Sequence, residues 1–125
     1  MEGLSPALLR LITNTFNSVE AIELTLLLRR SPDTFWSADA AATHLGISPT
    51  VSSARLSELA AAGVLVRGAT SAAYRFAPAQ QLAADVDALA DSYTTRRIEI
   101  LNAIYSANLI RIRAFADAFK LKKDE

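Results

Sequence analysis

The chain has 125 residues, 51% of them apolar, and 13 Lys+Arg balance 13 Asp+Glu for a net charge of zero. This excludes a mainly disordered chain and leaves room for one domain with a buried core, extended by an oligomerisation arm. Zero net charge excludes a global electrostatic pull toward nucleic acid or membrane. The lack of Cys excludes disulfides and most zinc sites, and the single His excludes a His-rich metal site.

Abundant Ala with four Gly and four Pro favours a mainly helical protein. The N-terminal segment lacks the basic, apolar and small-residue succession of a signal peptide. Apolar runs such as Leu26 to Leu28 are too short for a bilayer. A soluble cytoplasmic protein with no membrane partner is therefore the expectation.

Ser-Pro pairs mark helix starts, because Ser caps free N–H groups and Pro suits the first helical position. Ser5-Pro6 opens a first helix through Ala7, Leu8, Leu11 and Ile12, which Asn14, Thr15 and Asn17 interrupt. Asn17 or Ser18 caps a second helix with Glu20 at its positive end. Its Ile22, Leu24, Leu26, Leu27 and Leu28 cover most of the circumference, which calls for burial on several sides. Arg29-Arg30 end it before Ser31-Pro32.

Phe35 and Trp36 fall in a connector. Ser37 caps a short helix over 38–45, which Gly46 stops. Ser48-Pro49 opens the next helix, to Ala62, and Gly63 stops that one. Periodicity then changes. Val64-Leu-Val66 and Ala73-Tyr-Arg-Phe76 flank Gly68 to Ser71, the pattern of a β-hairpin that Pro78 closes.

A long helical region follows. Leu82, Val86, Leu89, Tyr93, Ile100 and Ile104 recur at three, four or seven, with the step missing at Arg96-Arg97. Ile98, Leu101 and Tyr105 widen the stripe. A break or kink is expected at Ser106 to Asn108, then a further series through Leu109, Ile112, Phe115 or Ala116, and Phe119, and a fraying tail from Lys120 to Glu125. That is more apolar surface than one small domain covers, so a homodimer is expected. Leu82, Val86, Leu89, Tyr93, Ile100, Ile104, Ile112, Phe115 and Phe119 are its expected interface residues. The expected core holds Ile22, Leu26, Trp36, Leu45, Ile47, Leu56, Leu59, Leu65 and Phe76.

The order helix, Gly turn, helix, Gly stop and hairpin is that of a winged helix-turn-helix. Leu45, Gly46, Ile47, Ser48, Leu56, Leu59, Gly63, Val64 and Leu65 fall in one gap-free series. The stretch from about residue 18 to residue 78 resembles the MarR and ArsR families of bacterial transcriptional regulators. The resemblance implies a mainly helical winged-helix domain over 1–78 and a C-terminal helical dimerisation region over 79–125. It further implies a dimer whose helices, each starting at Ser48, enter successive major grooves of double-stranded DNA. Ser48, Thr50, Ser53, Arg55, Arg67 and Arg75 are the expected DNA contacts, with Arg55 the strong base reader.

Charge complicates that reading. Between Ser31 and Pro78, Arg55, Arg67 and Arg75 only balance Asp33, Asp39 and Glu58. Position 54, often basic in the family pattern, is Ala, and the hairpin tip has no cation. Basic residues concentrate later, from Arg96 to Lys123. The alternative reading is a winged-helix module that binds another protein. A small-molecule sensor with an apolar pocket between the second and the C-terminal helices is compatible with either.

Other residues read structurally. Ser52 is a packing residue, and Arg55, where it is not a DNA contact, is a surface residue pairing with Glu58 at i,i+3. Trp36 anchors the connector, His44 lies at the rim, and Asp87 and Asp91 form a solvated face. No Gly-rich phosphate loop, nucleophile elbow or triad stands out, so neither catalysis nor a cofactor is expected.

Overall fold

A computed structural model describes the backbone of residues 4–69 and 72–123, and the side chains of those residues through 118. Among these, six helices and three short strands run in the order α1 (Pro6–Asn14), α2 (Val19–Arg30), β1 (Trp36–Ser37), α3 (Ala38–Leu45), α4 (Pro49–Ala61), β2 (Leu65–Arg67), β3 (Ala73–Phe76), α5 (Gln80–Thr95) and α6 (Arg97–Lys123). The protein is thus mainly helical with a small antiparallel sheet. No helix among the described residues is long and apolar enough to cross a membrane.

Serine side chains start four of the helices. The Oγ of Ser5 accepts from Leu8 N–H, that of Ser18 from Ala21 N–H, and that of Ser37 from Ala40 N–H. The Oγ of Ser48 accepts from both Thr50 and Val51. Each such cap satisfies a donor that the helix itself leaves free, worth about 1 kcal/mol. Gly46 ends α3 in the left-handed region at φ 71°, which no Cβ-bearing residue adopts cheaply.

α2 is the centre of the fold. Ala21, Ile22, Leu24, Thr25, Leu27 and Leu28 are buried, and the helix packs on α3, α4 and β3. Phe16, in the connection from α1, is wholly buried among them. Of the expected core, Ile22, Leu56, Leu59 and Leu65 are buried, while Leu26, Trp36, Leu45, Ile47 and Phe76 are partly buried against it.

The hairpin forms with Leu65 opposite Phe76, Val66 opposite Arg75 and Arg67 opposite Tyr74. Its expected tip includes Thr70 and Ser71, which lie outside the described residues. The connector adds a strand that the sequence did not suggest. β1 pairs with β3, Trp36 opposite Tyr74, so the sheet order is β1-β3-β2.

The C-terminal region corrects two expectations. The chain breaks at Arg96, beside the missing periodic step, where no break was expected, and it does not break at Ser106 to Asn108. α6 runs unbroken through them. The Asn108 side chain donates to the Asn17 carbonyl, 3.2 Å away, so it does not compete for the helix's own backbone. Of the tail expected to fray, residues 120–123 are helical, and residues 124 and 125 lie outside the described residues.

Polar ties hold α5 and α6 to α2. Arg29 pairs with Asp87 at 3.0 Å, so Asp87 is not simply a solvated acid. The Tyr93 hydroxyl donates to Glu23 at 2.7 Å, and the Arg97 guanidinium lies over the Tyr93 ring, 4.5 Å from its centre. Burial, reinforced by the Glu23 hydrogen bond and charge and opposed by Arg97, pushes the Tyr93 phenol from 10.0 up to about 12. Below pH 10 the phenol keeps its proton in both folded and unfolded chains, and its contribution is complete. Between pH 10 and 12 only the unfolded chain ionises, so stability falls as pH rises, by about 2 kcal/mol in all. Urea midpoints at pH 9 and 11.5 check this, and Tyr93→Phe is expected to flatten the decline.

Candidate nucleic-acid interface

α3 and α4 are joined by the three residues Gly46, Ile47 and Ser48. The Gly46 and Ile47 N–H groups both close on the Ala42 carbonyl, so the turn is tight and its angle fixed. The buried face of α4 consists of Ser52, Leu56 and Leu59. The Ser52 hydroxyl donates to the Ala38 carbonyl at 2.9 Å and ties α4 to the start of α3. This is the packing role expected for it.

With that face inward, helical geometry turns Thr50, Ser53, Ala54, Ser57 and Ala61 to solvent, and all five are exposed. The face offers three hydroxyls and no cation. Ser48 is exposed, but its side-chain oxygen is engaged by two backbone N–H groups, so it acts first as the cap. With Pro49 lacking an N–H, the tip of α4 presents its dipole rather than free amides.

Arg55 departs from its expected place. It lies at the margin of the buried face, and its guanidinium reaches Glu58 at 2.6 Å. Both residues line a cleft of about 460 Å3 with Asn14, Thr15, Asn17, Ala62 and Arg111. Arg111 closes the other side, donating to the Thr13 carbonyl and the Asn108 amide oxygen. Arg55 thus faces the α1–α2 connection and α6, not the outward face of α4.

The hairpin packs against α4 through β2. Arg67 is exposed near its end, while Arg75 is half-buried. Pairing places Arg75 and Val66 together on the outer face of the sheet, and the Arg75 guanidinium lies over the Phe35 ring at 5.7 Å. That cation–π contact restrains the Arg75 head. Trp36 packs edge-on to His44, 5.7 Å between ring centres, which accounts for the rim position of the histidine.

The expected dimer stripe divides into parts of different kinds. Val86, Leu89, Tyr93, Ile100 and Ile104 are buried in the chain's own core, and Leu82 is partly buried against it. α5 and α6 pack on α1 and on each other, so these residues are not surface for a second chain. Ile112 and Phe115 are 63% and 72% exposed. The Phe119 side chain lies outside the described residues.

A largely apolar groove of about 540 Å3 lies between α1 and α6, with Leu4, Leu9, Ala103, Ala107 and Ile110 in its walls. It is not between the second and C-terminal helices, where a sensor pocket was expected. Among the described residues, no group of His, Asp or Glu is placed to hold a metal ion. Comparison with protein-family models, curated proteins and solved structures returns no match to this chain.

Proposed function

We propose that the protein is a dimeric winged-helix regulator that binds double-stranded DNA through α4 and the β2–β3 hairpin. The observation that carries this reading is the combination of a rigid α3–α4 turn, an α4 face of exposed hydroxyls, and a neighbouring hairpin bearing Arg67 and Arg75. Thr50, Ser53 and Ser57 bond base edges or phosphates, and the two hairpin arginines bond phosphates. Arg55, paired with Glu58 on the same helix and turned to the cleft, is not a base reader in this proposal. With only two cations per half-site, affinity for generic duplex is low and weakly dependent on salt.

Thr50→Asp separates function from folding. An acid in the first turn favours the helix dipole, so thermal stability is expected to hold or rise slightly. The same charge meets phosphate, and duplex affinity is expected to fall at least about tenfold. Fluorescence anisotropy with a labelled duplex at low salt, beside a thermal melt, reads both. Unchanged affinity counts against α4 as the contact. Arg67→Ala is expected to weaken all duplexes alike and to lower the salt slope by about 0.9 per half-site, provided Arg67 neutralises one phosphate.

A protein partner is the second reading, and the cation-free face of α4 favours it. Small side chains such as Ala54, Ser57 and Ala61 admit close approach of another backbone. Loss of a protein partner, with no duplex bound by the wild type, distinguishes the two.

A further inference from the structure

α1 and α6 pack side by side and leave a groove of about 540 Å3 between them. Ala103 and Ala107 form its floor and are too small to fill it. Leu9 of α1 and Ile110 of α6 form apolar walls that are 43% and 66% exposed. On α6 the lining runs from Glu99 to Arg111, about 18 Å along the axis. Spread over that length, the volume leaves a section of about 30 Å2, so the space is much longer than it is wide. A helix about 10 Å across needs more than twice that section, so a partner helix cannot sink into the groove. One extended hydrocarbon chain can, and each CH2 that it takes out of water is favourable.

The two ends of the groove differ in charge. Arg111 closes one end beside Thr13, and its guanidinium donates to the Thr13 carbonyl and the Asn108 amide oxygen. Both acceptors are neutral, so they hold the head in place without cancelling its charge. Glu99 stands at the other end, where Arg96 pairs with it at 3.3 Å. An anionic head group is attracted to the Arg111 end and meets a carboxylate at the other.

We infer that the groove binds one long-chain carboxylate, with its alkyl chain along Leu9, Ala103, Ala107 and Ile110 and its carboxylate at Arg111. Burial of the chain supplies most of the affinity. The ion pair is partly exposed and adds less, but it sets the direction in which the chain lies. The site shares no residue with the proposed DNA contacts, so the inference stands apart from the DNA reading.

Displacement of the fluorescent fatty acid cis-parinarate by myristate, below its micelle concentration, tests this on the full chain. One saturable site per chain is expected, with octanoate at least about tenfold weaker because its shorter chain buries less. Leu9→Asp puts a charge in the apolar wall, and Ser106→Phe fills the space from the rim. Each is expected to abolish binding with unchanged far-UV circular dichroism, because Leu9 and Ser106 are exposed. Arg111→Gln is expected to weaken myristate about two- to fivefold and to leave myristyl alcohol unchanged. Absence of displacement, wild-type affinity in Leu9→Asp or Ser106→Phe, or an equal loss of acid and alcohol in Arg111→Gln overturns the inference. So does binding to anionic phosphatidylglycerol vesicles without binding to monomeric myristate, which assigns the face to a membrane surface. A wild-type dimer whose groove myristate does not enter overturns it as well, and assigns the groove to a second copy. None of these readouts involves DNA, so failure of the DNA reading with myristate bound is recognisable as such.

Discussion

Phe16→Ala is expected to destabilise the protein by about 3–5 kcal/mol, the range for truncating a buried aromatic. Phe16 is wholly buried in the link between α1 and α2, where it packs into the same core as Ile12, Ile22 and Ile104. Removing the ring leaves a cavity where several elements meet, and helix ends cannot collapse into it without breaking their caps. Domains of this size are marginally stable, so such a loss removes a large part of the total. Urea unfolding followed by circular dichroism reads it as a lower midpoint with an unchanged slope. A shift below about 1 kcal/mol would show that the α1–α2 link is not seated in the core.

Leu56→Ala is expected to cost about 2–5 kcal/mol. Leu56 is fully buried and packs α4 against the central helix. It lies within two turns of all three exposed hydroxyls, next to Ser57, three residues from Ser53 and six from Thr50, so its loss loosens the seat of α4 as well as the domain. DNA affinity is then expected to fall by more than the unfolded fraction explains. Melting and anisotropy below the melting transition separate the two effects. Loss of stability with full affinity in the folded fraction would mean that α4 keeps its orientation without Leu56.

Much of the fold was legible because its causes are local. A Ser side chain reaches N–H groups two or three residues on, and Gly46 adopts its own left-handed conformation, so both declare themselves in sequence. The i,i+3 pair of Arg55 and Glu58 is local in the same way. Phe16 was not legible. It stands alone among Asn14, Thr15 and Asn17, without periodicity, and only tertiary packing into the common core buries it. β1 is two residues long and exists because β3 offers an edge, so no alternation announces it.

The candidate site was legible in place but not in direction. Exposure of Thr50, Ser53 and Ser57 follows from helical spacing once Leu56 and Leu59 are inward. The turn of Arg55 toward a cleft closed by Arg111 depends on a residue far along the chain. The C-terminal stripe shows the same limit. Periodicity says that a helix has an apolar face, but not which neighbour covers it. Here α5 and the first half of α6 give that face to their own core. Ile98, Leu101, Tyr105, Ile112 and Phe115 of α6 stay exposed.

The central claim is that α4 and the hairpin recognise DNA sequence. Selection of a random duplex library by the purified protein at low salt tests it most directly, with the Thr50→Asp variant in parallel. The account predicts enrichment of one motif in two half-sites about one helical turn apart, and loss of that enrichment in the variant. No enriched sequence and no binding to generic duplex would contradict it, and the cation-free face of α4 would then belong to a protein partner.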